Sequence, residues 1–226
     1  MAVYTHLSHE EINKFLEEYK IGHLLNFSEI AEGVENSNFL ITTSIDKYIL
    51  TLYEKRVDPN DLPFFLNLLT HLSSAGLSCP LPVEGIDGNA LRTLGGRPAS
   101  IVTFLDGTWP RHSNTHHCKA LGSAMAMMHE FGKTFKQTRT NALTIPSWRP
   151  LLESCRLPER EIYINLFNEL NQELNWLETN WPKNLPSGII HADLFPDNVF
   201  FNQSDLSGII DFYFACNDFL AYDIAV

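Results

Sequence analysis

The stretch Ile189–Tyr213, IIHADLFPDNVFFNQSDLSGIIDFY, decides the fold. Val199-Phe200-Phe201 and Gly208-Ile209-Ile210 are short apolar runs with a polar Asn-Gln-Ser-Asp turn between them, which is the alternation and turn chemistry of a β-hairpin. His191, Asp193, Asp197 and Asn198 stand before the first run, and Asp211 follows the second. A hairpin brings its far end back to its near end, so Asp211 is expected beside Asn198 and Asp193. Oxygen ligands gathered in this way suit a hard cation such as Mg²⁺.

The pattern H-x-D-x-x-x-x-N, followed by a strand and then D-F, resembles the catalytic loop and metal-binding aspartate of the kinase-like fold. Each residue type fits a role in that scheme. The Asp193 carboxylate would accept the proton of an attacking hydroxyl. The Asn198 amide oxygen and the Asp211 carboxylate would hold Mg²⁺ against the phosphates of ATP. Phosphoryl transfer asks for little covalent help from protein, so these groups and good positioning suffice. Either motif alone is equally well a polar turn with solvated aspartates and a capping Asn. The two together, at the right separation, favour the kinase-like reading.

The chain has 226 residues, enough for one large domain or two small lobes. Fifteen phenylalanines supply ample core material. The net charge is −11 and the longest basic run is Lys55-Arg56, which argues against nucleic acid or an anionic membrane as main partner. Cys79, Cys118, Cys155 and Cys216 form no C-x-x-C pair and read as free thiols of a reducing compartment. His116-His117-Cys118 has no second ligand pair at zinc spacing. With no secretory signal, transit peptide or long apolar segment in the sequence, a cytoplasmic protein is expected.

Ser8-His9-Glu10-Glu11 is a capping box followed by Ile12, Phe15, Leu16 and Tyr19 at helical spacing. Strands are expected over 39–43 and 48–53, after a loop Gly33-Val34-Glu35-Asn36-Ser37-Asn38. In a kinase-like fold that loop covers the nucleotide phosphates, with Gly33, Asn36, Ser37 and Asn38 as contacts; by itself it is an ordinary turn. Thr51 stands where the phosphate-binding lysine would be expected. Lys55 or Arg56 takes that role, or both solvate the strand end. Asp58-Pro59-Asn60-Asp61 starts a helix with the stripe Leu62, Phe65, Leu66, Leu69 and Leu72, ended by Gly76. Asp61 is read as its N-cap carboxylate. Further strands are expected near 90–94 and 98–105, the second stopping at a flexible Asp106-Gly107 dipeptide that reads equally as a hinge between two lobes and as a core strand ending in a turn. From Asn114 the pattern turns helical, with Leu121, Ala124, Met125 and Met128 as a buried stripe and His129 as a core or capping histidine. A helix over 158–180 is expected to bury Ile162, Leu166, Leu170, Leu174 and Leu177. The plan is α+β: a two-lobed, protein-kinase-like fold with an antiparallel sheet lobe over 1–105 and a mainly helical lobe over 106–226 that carries the catalytic hairpin.

GVENSNF at 33–39, ILTLYEKR at 49–56, DLPFFL at 61–66, GLSCPLP at 76–82, IIHADLFPDNVFF at 189–201 and IIDFYFACNDFLAYDIA at 209–225 are together similar to the bacterial homoserine kinases built on the choline/aminoglycoside phosphotransferase fold. The similarity runs over essentially the whole chain. It implies ATP-dependent phosphorylation of the L-homoserine hydroxyl, a step towards threonine. Asp193 would be the base, His191 an orienting residue of the catalytic loop, Asn198 and Asp211 the Mg²⁺ ligands, and Asp223 a structural aspartate bracing the loop. Ala192, where many wider relatives have glycine, and Phe212-Tyr213 after the metal aspartate both fit the homoserine kinase version. Relatives continue past Tyr-Asp-Ile-Ala with further helices that wall the acceptor site, so a truncated chain is expected. A kinase for choline, an aminoglycoside or another amino alcohol stays open, as do a nucleotide-binding pseudoenzyme and a phosphohydrolase using His191, Asp193, Asp197 and Asp211 around two metals. Arg111 and Asp106 are of the right charge for a zwitterionic acceptor and equally plain surface residues.

Overall fold

The computed structural model of the protein describes residues 4–31, 36–54, 57–155 and 161–226. Helix α1 (His9–Leu16) opens on the capping box: the Ser8 hydroxyl accepts from the Glu11 amide, and the Glu11 carboxylate accepts from the Ser8 amide at 2.8 Å. Its stripe of Ile12, Phe15 and Leu16 is buried against an antiparallel sheet of β1 (Leu24–Ile30), β2 (Ser37–Thr43), β3 (Lys47–Leu52), β4 (Arg92–Leu94) and β5 (Arg97–Thr103). The strand order is β1-β2-β3-β5-β4. Strand β2 buries alternate residues, Ser37, Phe39, Ile41 and Thr43, as a strand with a period of two must when its two faces differ. Phe39, Ile41, Leu50, Leu52, Ala99 and Ile101 join the α1 stripe in one core.

Helix α2 (Leu62–Ser74) buries Leu62, Phe64, Phe65, Leu66, Leu68, Leu69 and Leu72, nearly all round its circumference, so it is covered on more than one side. It belongs to a second core shared with α3 (Thr115–Gly132), in which Phe65, Leu68 and Leu72 pack with Ala124, Met128, Ile189, Leu194, Ile209 and Phe212. The helix contributed by the front half is thus bonded by apolar contact to the 189–212 segment. Each fully buried Leu or Phe here is worth about 1.5–3 kcal/mol.

Next come α4 (Ile145–Ser154), α5 (Glu161–Asn180), and two antiparallel pairs: β6 (Ser187–Ile190) with β9 (Cys216–Phe219), and β7 (Val199–Asn202) with β8 (Asp205–Ile209). A short α6 (Ala221–Ala225) follows. The expected hairpin is β7–β8, with Val199 opposite Ile209 and Asn202 opposite Asp205. It is clasped from outside. The Ile209 amide donates to the Ser78 carbonyl at 3.0 Å, and Thr108 and Phe201 exchange amide–carbonyl bonds at 2.9 Å. Asp106-Gly107, read from sequence as a flexible dipeptide, is fastened: the Ser207 hydroxyl donates to the Asp106 carbonyl, and a Cβ on Gly107 would stand 2.8 Å from the Phe201 carbonyl oxygen.

Among the elements that escape sequence reading are α4 and β9. Helix α4 has Pro150 in its interior, normally a breaker, and β9 is only Cys-Asn-Asp-Phe. The expected burial along α5 is also only partly met. Leu174 is buried, but Leu166 and Leu170 are about half exposed. The reason is the polar seam with α4, where Arg149 donates to Asn171, Asn175 and Glu178. Of the stripe expected in α3, Ala124 and Met128 are buried, with Leu121 and Met125 packed at the edge of the core.

Helix α3 and strand β6 approach so closely that a Cβ on Gly132 would lie 2.8 Å from the Ile189 Cβ. Gly132→Ala should therefore destabilise the fold by about 1–3 kcal/mol, read as a lower urea midpoint at unchanged slope; an unchanged midpoint would show that this contact is not tight in solution.

Candidate active site

The chain leaves β6 at Ile190 and turns through Ala192, which has φ 64°, a left-handed conformation that costs an L-residue about 1–2 kcal/mol. One carboxylate holds the turn in place. Asp223, its side chain fully buried, accepts from the His191 amide at 3.0 Å, the Ala192 amide at 2.8 Å and His129 Nε2 at 2.8 Å. These are charge-assisted bonds, and together they offset the cost of burying the anion. His129, read from sequence as a core or capping histidine, is thus a partner of Asp223 donated by α3.

His191 is fully buried, and both its ring nitrogens are engaged by backbone. Nε2 meets the Ile210 carbonyl at 2.9 Å, and Nδ1 accepts from the Asp193 amide at 3.2 Å. A carbonyl accepts only, so Nε2 carries the proton and the ring is neutral. Burial pushes its pKa down to about 4, against the smaller opposing pull of Asp223 and the Ile210 bond. Neither nitrogen is left for a metal, which removes His191 from the two-metal alternative.

Pro196–Asn198 form one 3₁₀ turn, and Asn198 Nδ2 donates both to the Asp193 carbonyl at 2.8 Å and to its carboxylate at 2.9 Å. Asn198 Oδ1 is then the amide's remaining polar atom. The hairpin closes with the Ile210 amide donating to the Asn198 carbonyl at 3.0 Å, which sets Asp211 next to Asn198 across the ladder. Asp211 adopts φ 64°, ψ 61°, a left-handed position that Asp tolerates better than most residues. Phe212 behind it is buried, its ring centroid 4.5 Å from that of His191. Asp197, by contrast, is exposed.

On the sheet side, Ser37 is fully buried; its hydroxyl donates to Glu54 at 2.8 Å and accepts from the Tyr4 amide at 2.8 Å. Asn36 Oδ1 accepts from the Glu54 amide at 3.3 Å, and Asn38 Oδ1 accepts from the Thr51 hydroxyl at 2.8 Å. Thr51 therefore sits as a buried hydroxyl where a lysine was expected. Gly33 and Lys55 lie outside the described residues. A second tie joins sheet to hairpin: the Tyr213 and Tyr53 hydroxyls are 3.1 Å apart, and Tyr53 meets the Ser100 hydroxyl at 2.8 Å. Burial raises the pKa of both tyrosines, keeping them neutral. Asp61 occupies the N-cap position of α2 but makes no side-chain cap bond; its carboxylate accepts from Arg139 Nε at 2.7 Å. Arg139 and Asn141, in a polar segment with no periodicity, gave no sequence signal.

A five-stranded sheet, a helix lodged between it and a hairpin, and a loop of Asp193, Asn198 and Asp211 define a kinase-like phosphotransferase architecture. Solved structures agree: an amicoumacin kinase in complex with AMP-PNP and Ca²⁺ superposes with a TM-score of 0.76 at 18% identity, over 97% of this chain and 68% of that one. Residues 26–226 match the phosphotransferase enzyme family. Homoserine kinases of Sinorhizobium fredii and Bradyrhizobium diazoefficiens are each 56% identical to it over 100% of this chain and 69% of their own length. The chain belongs to the phosphotransferase enzyme family, within its homoserine kinase branch. Among the described residues no helix is long and apolar enough to cross a membrane.

With a folded pKa near 4 against an ordinary 6.5 for His191, the unfolded chain binds the extra proton between these values. The stabilisation from neutral His191 is thus complete above pH 6.5 and lost as pH falls through 4, at up to about 1.4 kcal/mol per pH unit. Urea unfolding of wild type and His191→Gln at several pH values across that window should show the steeper acid loss in wild type; parallel profiles would contradict a neutral buried His191.

Proposed function

We propose that this protein transfers the γ-phosphoryl group of ATP to the side-chain hydroxyl of L-homoserine, giving O-phospho-L-homoserine. The observation that carries the reading is the match, over the whole of this chain and 69% of the relatives, to homoserine kinases at 54–56% identity, together with a loop that carries Asp193, Asn198 and Asp211. In this scheme Asp193 takes the proton of the attacking hydroxyl as the new oxygen–phosphorus bond forms and the bond from the γ-phosphorus to the ADP oxygen breaks. Asn198 fixes the Asp193 carboxylate through its amide nitrogen, and His191 holds the loop without transferring protons. With its amide nitrogen bonded to Asp193, Asn198 offers its amide oxygen, which together with the Asp211 carboxylate would make a hard donor pair for Mg²⁺. Bound there, Mg²⁺ would neutralise phosphate charge. Among the described residues there is no group of three or more His, Cys, Asp and Glu that could hold a metal ion.

The nucleotide is assigned to the cleft between a front lobe of residues 1–105 and a rear lobe of residues 106–226. In this reading the 33–38 stretch, with Gly33, Asn36, Ser37 and Asn38, would contact the phosphates, and Lys55 would be the candidate cation. The Ser37 hydroxyl is committed to Glu54, whereas Asn36 and Asn38 are engaged through Oδ1, so side-chain donation to phosphate falls to their Nδ2 groups. Free cysteines at 79, 118, 155 and 216 agree with a cytoplasmic setting.

The test is ADP release from Mg-ATP with L-homoserine, with choline and without acceptor. Release with homoserine alone is expected; release without acceptor would indicate a hydrolase, and release with choline alone a different kinase. Asp193→Asn should lower kcat by about 10²–10⁴-fold with ATP affinity nearly unchanged. Asp211→Ala should instead weaken Mg-ATP binding, and an unchanged Mg²⁺ dependence would remove Asp211 from the metal site.

A further inference from the structure

Beside the loop of Asp193 lies a cavity of about 400 Å³ whose lining includes Ala192, Tyr213, Asp58, Asp61 and Arg139, a size usual for a small-molecule site. Ala192 immediately precedes Asp193, and Tyr213 follows Asp211 by two residues, so the cavity abuts the loop on the chain next to the reacting groups, which do not themselves line it. Its charge pattern is specific. Among the described lining residues Arg139 is the one cation, and Asp58 and Asp61 are the carboxylates. Arg111 and Asp106 do not line it.

Arg139 is held on every side but one. Its amide donates to Asn217 Oδ1 at 2.9 Å and its carbonyl accepts from the Asn217 amide at 2.7 Å. Asn141, two residues on, donates to Asp218 at 2.7 Å. The side chain is fixed by Asp61 on Nε at 2.7 Å, by the Ala215 carbonyl on Nη1 at 3.2 Å and by the Phe65 ring 5.0 Å from the guanidinium carbon. Nη2 has no hydrogen-bond partner among the described residues, and the side chain is 18% exposed. A guanidinium oriented by one carboxylate, with one nitrogen unbonded among the described residues and its residue lining a cavity, suits an incoming carboxylate. Asp58 accepts from Asn60 through Oδ1 and is otherwise an exposed anion on the same rim.

We propose that this cavity is the acceptor site and recognises a zwitterionic amino acid: the outer edge of Arg139 binds its α-carboxylate, Asp58 its ammonium, and Asp61 positions the guanidinium. The proposal rests on the homoserine reading above and names the residues that select the substrate. It separates two contributions that L-homoserine and its decarboxylated analogue, 3-amino-1-propanol, report independently. Both carry the ammonium and the hydroxyl; only homoserine carries the carboxylate.

The experiment is steady-state kinetics with both acceptors, with calorimetric titration of each into protein bound to Mg-AMP-PNP, for wild type, Arg139→Ala, Arg139→Lys and Asp58→Asn. Arg139→Ala should lose about 10–100-fold in kcat/KM and affinity for homoserine and much less for 3-amino-1-propanol, collapsing the discrimination. Arg139→Lys, which keeps the cation but not the fork, should fall between and guards against a folding defect in the alanine variant. Asp58→Asn should weaken both acceptors alike. Equal losses for both acceptors in the Arg139 variants, or no loss for homoserine, would overturn the assignment while the kinase reading stood. A wild-type protein that neither binds nor phosphorylates homoserine would overturn the reading itself, and this proposal with it.

Discussion

A single buried carboxylate organises the reactive half of this molecule. Asp223 reaches from α6 into the start of the loop and satisfies two consecutive amides, His191 and Ala192, at the point where the backbone takes a left-handed turn. Without an acceptor there, two donors in a tightly packed region would lose their partner, at about 1–3 kcal/mol each, and nothing would hold Ala192 in its strained conformation. His129 extends the same anion to α3. The loop, the long helix behind it and the last helix are therefore one hydrogen-bonded unit, and His191 stands at its centre, neutral and bonded at both nitrogens.

Around this unit the structure couples front and rear by two routes. Apolar packing of α2 against Ile189, Ile209 and Phe212 joins a helix of the front half to the hairpin. The Ser100–Tyr53–Tyr213 hydroxyl chain ties strand β5 to the residues just after Asp211. Tyr213 also lines the cavity that includes Arg139, so one side chain joins the sheet, the segment after Asp211 and the cavity wall. The Asp106–Thr108 segment is bonded to β7 rather than left loose, which fixes the depth at which the hairpin sits under the sheet.

Much of this was legible in the sequence because the signals were local. The capping box at Ser8, the alternation along β2 and the hairpin runs at 199–201 and 208–210 each fall within a few residues, and the reach from Asn198 to Asp211 follows from hairpin closure. What was not legible depended on distant partners. Asp61 looks like an N-cap in any local window, yet its carboxylate is claimed by Arg139, 78 positions away. The α5 stripe has helical period, but periodicity says nothing of what lies opposite, and the polar seam with α4 leaves Leu166 and Leu170 half exposed. Strand β9 is too short and polar to announce itself; it exists because β6 offers it an edge. Arg139 belongs to the same class, since its orientation comes from Asn217, Asp61 and Phe65 rather than from its own neighbours.

The most direct test of the account is the chemical identity of the product. A ³¹P NMR spectrum of the protein with Mg-ATP and L-homoserine should show, as the γ-phosphate signal of ATP declines, a phosphomonoester resonance split by the two protons of the adjacent methylene. Inorganic phosphate appearing in its place would contradict phosphoryl transfer to the homoserine hydroxyl and leave the loop of Asp193, Asn198 and Asp211 serving a hydrolytic reaction instead.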